Sequence, residues 1–287
     1  MPSFLTNTAG GKSVATMKAP RSRRGNTNQV ASYWAGGAGA TPPTSVDFLV
    51  VAGGGSSGSS GSGTAGGGGG GGFRTSVGTS GRNASAESAL NFTATPTVTV
   101  TVGAAASNSV LSTVTSLAGG NGGSASDASP LSGCGSGGGG GASAGTSYSG
   151  GTGSTGQGFD GFYGQAVIAQ WNRSGSGGGA ASSASDQQGG AGRIASINSI
   201  GYSGGGAGTS IGTGGNTSGS YAGSTANRGG GGESQGANGG SGVVVIKYAD
   251  SFGLPTDISA GLTYSSATAG GYITMTFTAG TGTIGWV

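Results

Sequence analysis

Seven glycines stand in a row at Gly66–Gly72, and shorter tracts recur at Gly137–Gly141, Gly204–Gly206 and Gly229–Gly232. An interior glycine costs an α-helix about 1 kcal/mol relative to alanine, so these tracts argue against helix. The best helical stretch, QAVIAQW at Gln165–Trp171, is itself hemmed in by glycines. Glycine tracts can instead adopt the polyproline-II-type form often called polyglycine II, with three residues per turn, a rise of about 3.1 Å and no internal hydrogen bonds. Alone, such a segment is a linker. Packed side by side, its N–H groups donate to neighbouring carbonyls, with weaker Cα–H···O contacts adding to them. A Cβ at an inward position would collide, so only glycine permits this approach. A six-residue tract spans roughly 19 Å at that rise, the thickness of one small layer.

Glycine loses about 0.5–1 kcal/mol more than alanine on ordering, so a body of this kind needs ordinary strands at its edges. VDFLVVA at the start, TVTVTVG at Thr97–Gly103 and SGVVVIKY at the end supply them. The expected fold is therefore all-β and irregular, with essentially no α-helix: a polyglycine II sandwich clamped by β-strands, plus a small C-terminal β unit.

Composition tests that expectation against two others. Glycine makes up 73 of 287 residues, about a quarter against a usual share of about 7%. Collagen needs glycine at every third position and abundant proline; seven prolines and irregular spacing exclude it. Low-complexity disorder is the ordinary reading of so much Gly and Ser, but it goes with high net charge. This chain carries +3 and has three apolar, β-branched strands.

Charge and composition divide the chain. Lys12, Lys18, Arg21, Arg23 and Arg24 all precede the first acid, Asp47. Residues 1–45 read as a basic arm, 46–250 as the glycine-rich body, 251–255 as a hinge and 256–287 as a short β unit alternating from Tyr272 onward. No apolar run is long enough to span a membrane, and the N-terminus lacks the pattern of a signal peptide.

The chemical motifs fail on context. Gly53, Gly55 and Gly58 match G-x-G-x-x-G, but no helix follows to meet a pyrophosphate and the next acid is Glu87. AGGKS at Ala9–Ser13 has Thr6 where a phosphate-binding loop needs its first glycine. Asp127, Asp160 and Asp186 share no calcium-repeat frame. There is no histidine and only one cysteine, Cys134, so a His-dependent triad, an intrachain disulfide and a Cys/His zinc site are all excluded. No enzyme activity, metal or cofactor is expected.

A strand ending VVAGGG, a TVTVG strand and a closing GGSGVVVIKY strand bracket the irregular glycine clusters over about residues 46–250. This pattern resembles the glycine-rich domain of bacteriophage tail-fibre and related virion proteins. It is similar in architecture to the tip adhesins of T-even-like phages, which pack polyglycine II helices into a sandwich. The segment GGYITMTFTAGTGTIGW looks like a β unit that accompanies such domains. The chain departs from the purest examples where tracts are diluted, as in GGAASSASDQQGG. The resemblance implies a virion protein, either a tail-fibre or adhesin component that contacts the host surface or a capsid or tail decoration protein. Its implied partners are other virion proteins and a host protein or glycan, within a multimeric assembly.

Two sets of residues are candidate contacts. In the arm, Phe4, Leu5, Tyr33 and Trp34 add apolar anchors to the five cations, which favours docking to another virion protein over nucleic-acid binding or a plain solvated tail. In the body, Phe159, Phe162, Tyr163, Trp171, Tyr202 and Tyr221 flank glycine tracts where the chain turns. They suit receptor recognition by stacking and equally suit packing over the ends of the body. For Val167, Ile168, Ile194, Ile197 and Ile200, packing is the better reading.

Overall fold

The computed structural model describes residues 41–59, 64–95, 97–124, 132–143, 145–166, 173–185, 188–208, 218–233 and 236–286. The chain divides into two units, Met1–Thr41 and Pro42–Val287. Of the first only Thr41 is described, so all nine candidate contacts of the arm (Phe4, Leu5, Lys12, Lys18, Arg21, Arg23, Arg24, Tyr33, Trp34) lie outside the described residues.

Pro42–Val287 is all-β and irregular. Its strands are β1 (Asp47–Val51), β2 (Phe73–Thr75), β3 (Thr97–Val102), β4 (Ser109–Leu111), β5 (Val114–Ser116), β6 (Ala142–Ser143), β7 (Thr146–Ser147), β8 (Arg193–Ile194), β9 (Gly201–Tyr202), β10 (Val243–Ala249), β11 (Asp257–Ile258), β12 (Thr263–Ala269) and β13 (Tyr272–Gly285). The only helical turns among the described residues are single 3-10 turns at Gly81–Asn83 and Asp250–Phe252.

The three clamping strands expected from sequence share one antiparallel sheet, ordered β2-β1-β10-β13-β3-β4-β5. β1 and β10 pair from Asp47 opposite Lys247 to Val51 opposite Val243. Both are buried on both faces, which is why they read as near-continuous apolar runs. Leu49, Val51, Val243 and Val245 share a core with Phe73, Ala195, Ile197 and Tyr202. Phe48, Val50, Val244 and Ile246 alternate to the other face, against which β4 and β5 fold back. There Arg74 of β2 donates to Thr115 O of β5 at 2.9 Å.

The C-terminal segment, expected as a small β unit beyond a hinge, is built into this sheet. The first half of β13 pairs with β10 and its second half with β3. The change of partner falls at Gly280, whose φ of 98° and approach to Gly261 O leave no room for a side chain.

Beyond the sheet, the glycine tracts bond to one another with a period of three. Along Gly66–Gly72, the N–H groups of Gly66, Gly69 and Gly72 donate to Gly123, Gly120 and Leu117, each at 2.8 Å. Those of Gly67 and Gly70 go to Gly175 and Gly178, and those of Gly68 and Gly71 to Gly232 and Gly229. The carbonyls follow the same rule. Gly66, Gly69 and Gly72 accept from Gly58, Gly55 and Ala52; Gly67 and Gly70 accept from Gly139 and Ser136; Gly68 accepts from Gly206. The Ser203 hydroxyl donates to Gly71 O.

Tract 66–72 is thus ringed by tracts 52–58, 117–123, 136–142, 175–180, 203–207 and 229–232. These neighbours bond to each other in turn, through Gly119→Gly53, Gly120→Ser136, Gly175→Gly140, Gly177→Gly206, Gly231→Gly204 and Gly232→Gly55. A partner that recurs every third residue is what a helix of three residues per turn requires. A Cβ at any position from Gly66 to Gly71 would sit 1.9–2.4 Å from a neighbouring carbonyl oxygen, which is why the centre of this lattice is pure glycine. In the diluted stretch GGAASSASDQQGG, the N–H groups of Ala180 and Gly190 still join the lattice, donating to Ser203 O and Gly177 O at 2.9 Å. Elsewhere the stretch bonds locally, as in Gly179 N–H to Ser182 O at 3.0 Å.

Candidate recognition surface

The lattice gives the body two poles. β1 runs straight into tract 52–58, so the start of β1 lies at the end of the sheet remote from the glycines. Phe92 N–H donates to Pro43 O there at 3.1 Å, and the Phe92 ring lies 5.8 Å from that of Trp286. Pro43 and Trp286 therefore both lie at this sheet pole. Bonds such as Gly58 to Gly66, Gly164 to Tyr148 and Gly219 to Gly205 join tract ends at the opposite pole. The β6 and β7 strands lie there too, since Thr64 N–H donates to Ala142 O at 3.1 Å, and this end is the loop pole.

Tract 158–164, GFDGFYG, shows how aromatic side chains are carried on a glycine scaffold. Gly158, Gly161 and Gly164 face tract 135–141, where a Cβ would lie 2.1 Å or less from an atom of that tract or its Ser136 hydroxyl. The period of three then turns Phe159, Asp160, Phe162 and Tyr163 away from that tract. The Phe162 and Tyr163 rings stack at 4.4 Å with an interplanar angle of 28°, and Tyr163 is 49% exposed. Just beyond, Gln165 and Arg173 exchange two backbone hydrogen bonds of 2.6 and 2.9 Å. They close the connection that holds Trp171, which lies outside the described residues, as do Val167 and Ile168.

Toward the sheet, the same flank carries an ion pair. Arg82, in the left-handed region at φ 53°, donates to Asp160 Oδ1 at 2.8 Å and Oδ2 at 3.2 Å. Its guanidinium also lies 5.5 Å from the centre of the Phe159 ring. The Arg82 hydrogen bonds hold the Asp160 carboxyl below its ordinary range, and the Asp160 hydrogen bond raises Arg82 in turn. Nothing in the sequence marked Arg82; the signal that could have found its neighbours is the glycine at every third place in GFDGFYG.

The remaining aromatics are not gathered there. Tyr202 is only 2% exposed. Its ring is 6.4 Å from Phe73, its hydroxyl accepts from Asn198 Nδ2 at 2.9 Å, and burial pushes that hydroxyl's pKa up. It is a core residue and offers no contact surface. Tyr221 is 40% exposed, but its ring covers Gly201 beside Arg228, on tracts that do not bond to 158–164. Of the isoleucines expected to pack, Ile197 is in the core while Ile194 and Ile200 are exposed.

A cleft of about 400 Å³ lies between Arg74, Glu87, Ser80 and Gln157. Its guanidinium is engaged by both Glu87 oxygens and by Thr115 O, and Gln157 Oε1 accepts from Leu117 N–H at 2.8 Å. Among the described residues, no three of His, Cys, Asp and Glu come together as a metal site, and no helix is long and apolar enough to cross a membrane. Compared with protein-family models, with curated proteins and with solved structures, the chain matches none.

Proposed function

We propose that this protein is a bacteriophage virion structural component, a tail-fibre protein or adhesin that binds the host surface without covalent chemistry. The tracts are read as polyglycine II helices, and the basic arm as the segment that docks to another virion protein. The observation that supports this reading is the separation of poles. Pro43 and Trp286 lie at the sheet pole, tract ends and the Phe162–Tyr163 pair lie toward the other, and a side-chain-poor lattice stands between them. A backbone lattice ties down the tracts and frees only the loops to vary, which suits recognition of a protein or glycan. The stacked Phe162–Tyr163 pair, with Trp171 on the adjoining connection, is the proposed contact.

Binding of the full chain to host cells or envelope extracts tests the reading. Tyr163→Ala and Trp171→Ala should each weaken binding at least tenfold while leaving thermal unfolding unchanged. Binding that survives both substitutions, combined with capture on empty capsids that is lost when Tyr33 and Trp34 are replaced, would replace the adhesin reading with decoration.

A further inference from the structure

Among the described residues, the sheet leaves one long edge open. β12 pairs with β13 along one side only, from Thr263 opposite Ala279 to Ala269 opposite Tyr272. All seven of its residues are exposed. An open edge presents a row of N–H and C=O groups that pairs with any extended chain, and proteins guard such edges with charge, proline, bulges or shortness. The other edges here are guarded. β2 and β5 are three residues each and are tied together by Arg74, while β11 has two residues. β12 reads TYSSATA, with no charge, proline or glycine, and its only register shift sits at the Thr263/Tyr264 end.

We infer that β12 pairs antiparallel with β12 of a second copy of this chain about a two-fold axis at Ser266. Three observations select this occupant. An uncharged edge accepts an uncharged strand without burying an unpaired charge, and the second copy brings one of matching length. The small side chains of Ser265, Ser266, Ala267 and Ala269 allow the usual strand spacing of about 4.8 Å. Facing residues in an antiparallel pair share the same hydrogen-bonding status, so identical strands must pair with one residue opposite itself. Centring on Ser266 uses the full length of the strand. It sets Tyr264 opposite Thr268, an aromatic–β-branched pair of the stabilising kind, and brings no like charges together. Such an interface closes at two copies and leaves both loop poles uncovered. It is smaller than the roughly 1,200–2,000 Å² of a standard stable interface, so the dimer is reversible.

The test uses the full chain in a Cys134→Ser background, which removes the native thiol. Facing residues lie about 4.5–5.5 Å apart between Cα atoms, within disulfide reach, whereas diagonal neighbours lie about 7–8 Å apart, beyond it. Ser266→Cys should therefore oxidise to a species of twice 26.4 kDa, while Ser265→Cys, facing Ala267, should stay single. Without engineered cysteine, sedimentation equilibrium should show a dimer that grows with concentration. Ser266→Lys should abolish it without altering thermal unfolding. A single-copy mass at every concentration, equal cross-linking at 265 and 266, or a dimer that survives Ser266→Lys would each overturn the pairing.

Discussion

In the sheet, Phe48, Val50, Val244 and Ile246 bury large side chains and the backbone follows. In the lattice, Gly66–Gly72 is just as buried but has no side chains to bury. The sheet draws on the hydrophobic effect, about 25 cal/mol per Å² of apolar area. The lattice draws on hydrogen bonds worth only about 0.5–1.5 kcal/mol each, net. The two should fail in opposite directions: the sheet is injured by removing atoms, the lattice by adding them.

The largest effect is expected at the centre of the lattice. A Cβ on Gly69 would lie 2.3 Å from Ser136 O and 2.7 Å from Gly137 O, both of them backbone atoms held by their own bonds. Gly69→Ala must push neighbouring tracts apart and break buried N–H bonds, a loss of about 5 kcal/mol or more when overpacking and unsatisfied donors are combined. Against a usual total of about 5–15 kcal/mol, much of the folded population disappears. Gly236→Ala is the control: nothing lies within 4 Å of its Cβ, and only its φ of 74° resists, a cost of about 1 kcal/mol. Equal shifts in the urea midpoint for the two variants would mean that crowding does not maintain the lattice.

In the sheet, the atom-removing change is the damaging one. Phe48 is 1% exposed, and Phe48→Ala should cost about 3–5 kcal/mol in equilibrium unfolding. Phe48→Leu, which keeps most of the volume, should cost far less. If Phe48→Ala were milder than Gly236→Ala, side-chain burial would not be what holds the clamp.

The same division decides what the sequence could reveal. β1, β3, β10 and β13 are legible because alternation or a continuous apolar run records which faces they bury. The neighbours of Gly66–Gly72 are not legible, since each tract offers the same N–H and C=O groups and no side chain records a partner. The exception is GFDGFYG, whose glycine every third place marks the face turned to tract 135–141. The sequence leaves Tyr202 open between contact and packing, because its burial depends on the β8–β9 hairpin meeting Phe73, a contact distant in sequence. The dual pairing of β13 turns on Gly280, one glycine among 73.

The smallest effect concerns a side-chain contact placed on the flank of the lattice. Asp160 is paired with Arg82, and its carboxyl pKa is lowered in the folded state by that hydrogen bond. A lowered folded pKa means that the pair stabilises fully above the unfolded carboxyl's value of about 3.9, and that the contribution is lost as pH falls through the folded value. Arg82 stays charged throughout, so Asp160 alone sets the window. With side chains 31% and 42% exposed, the pair contributes about 0–1 kcal/mol. Asp160→Asn should therefore lower the urea midpoint slightly at neutral pH, and the gap from the unsubstituted protein should close as the pH is taken below about 3.9. A gap of the same size at both ends would show that the charge of Asp160 is not what the substitution removes, since the bonds from Arg82 and from Gly153 N–H both favour the ionised carboxyl.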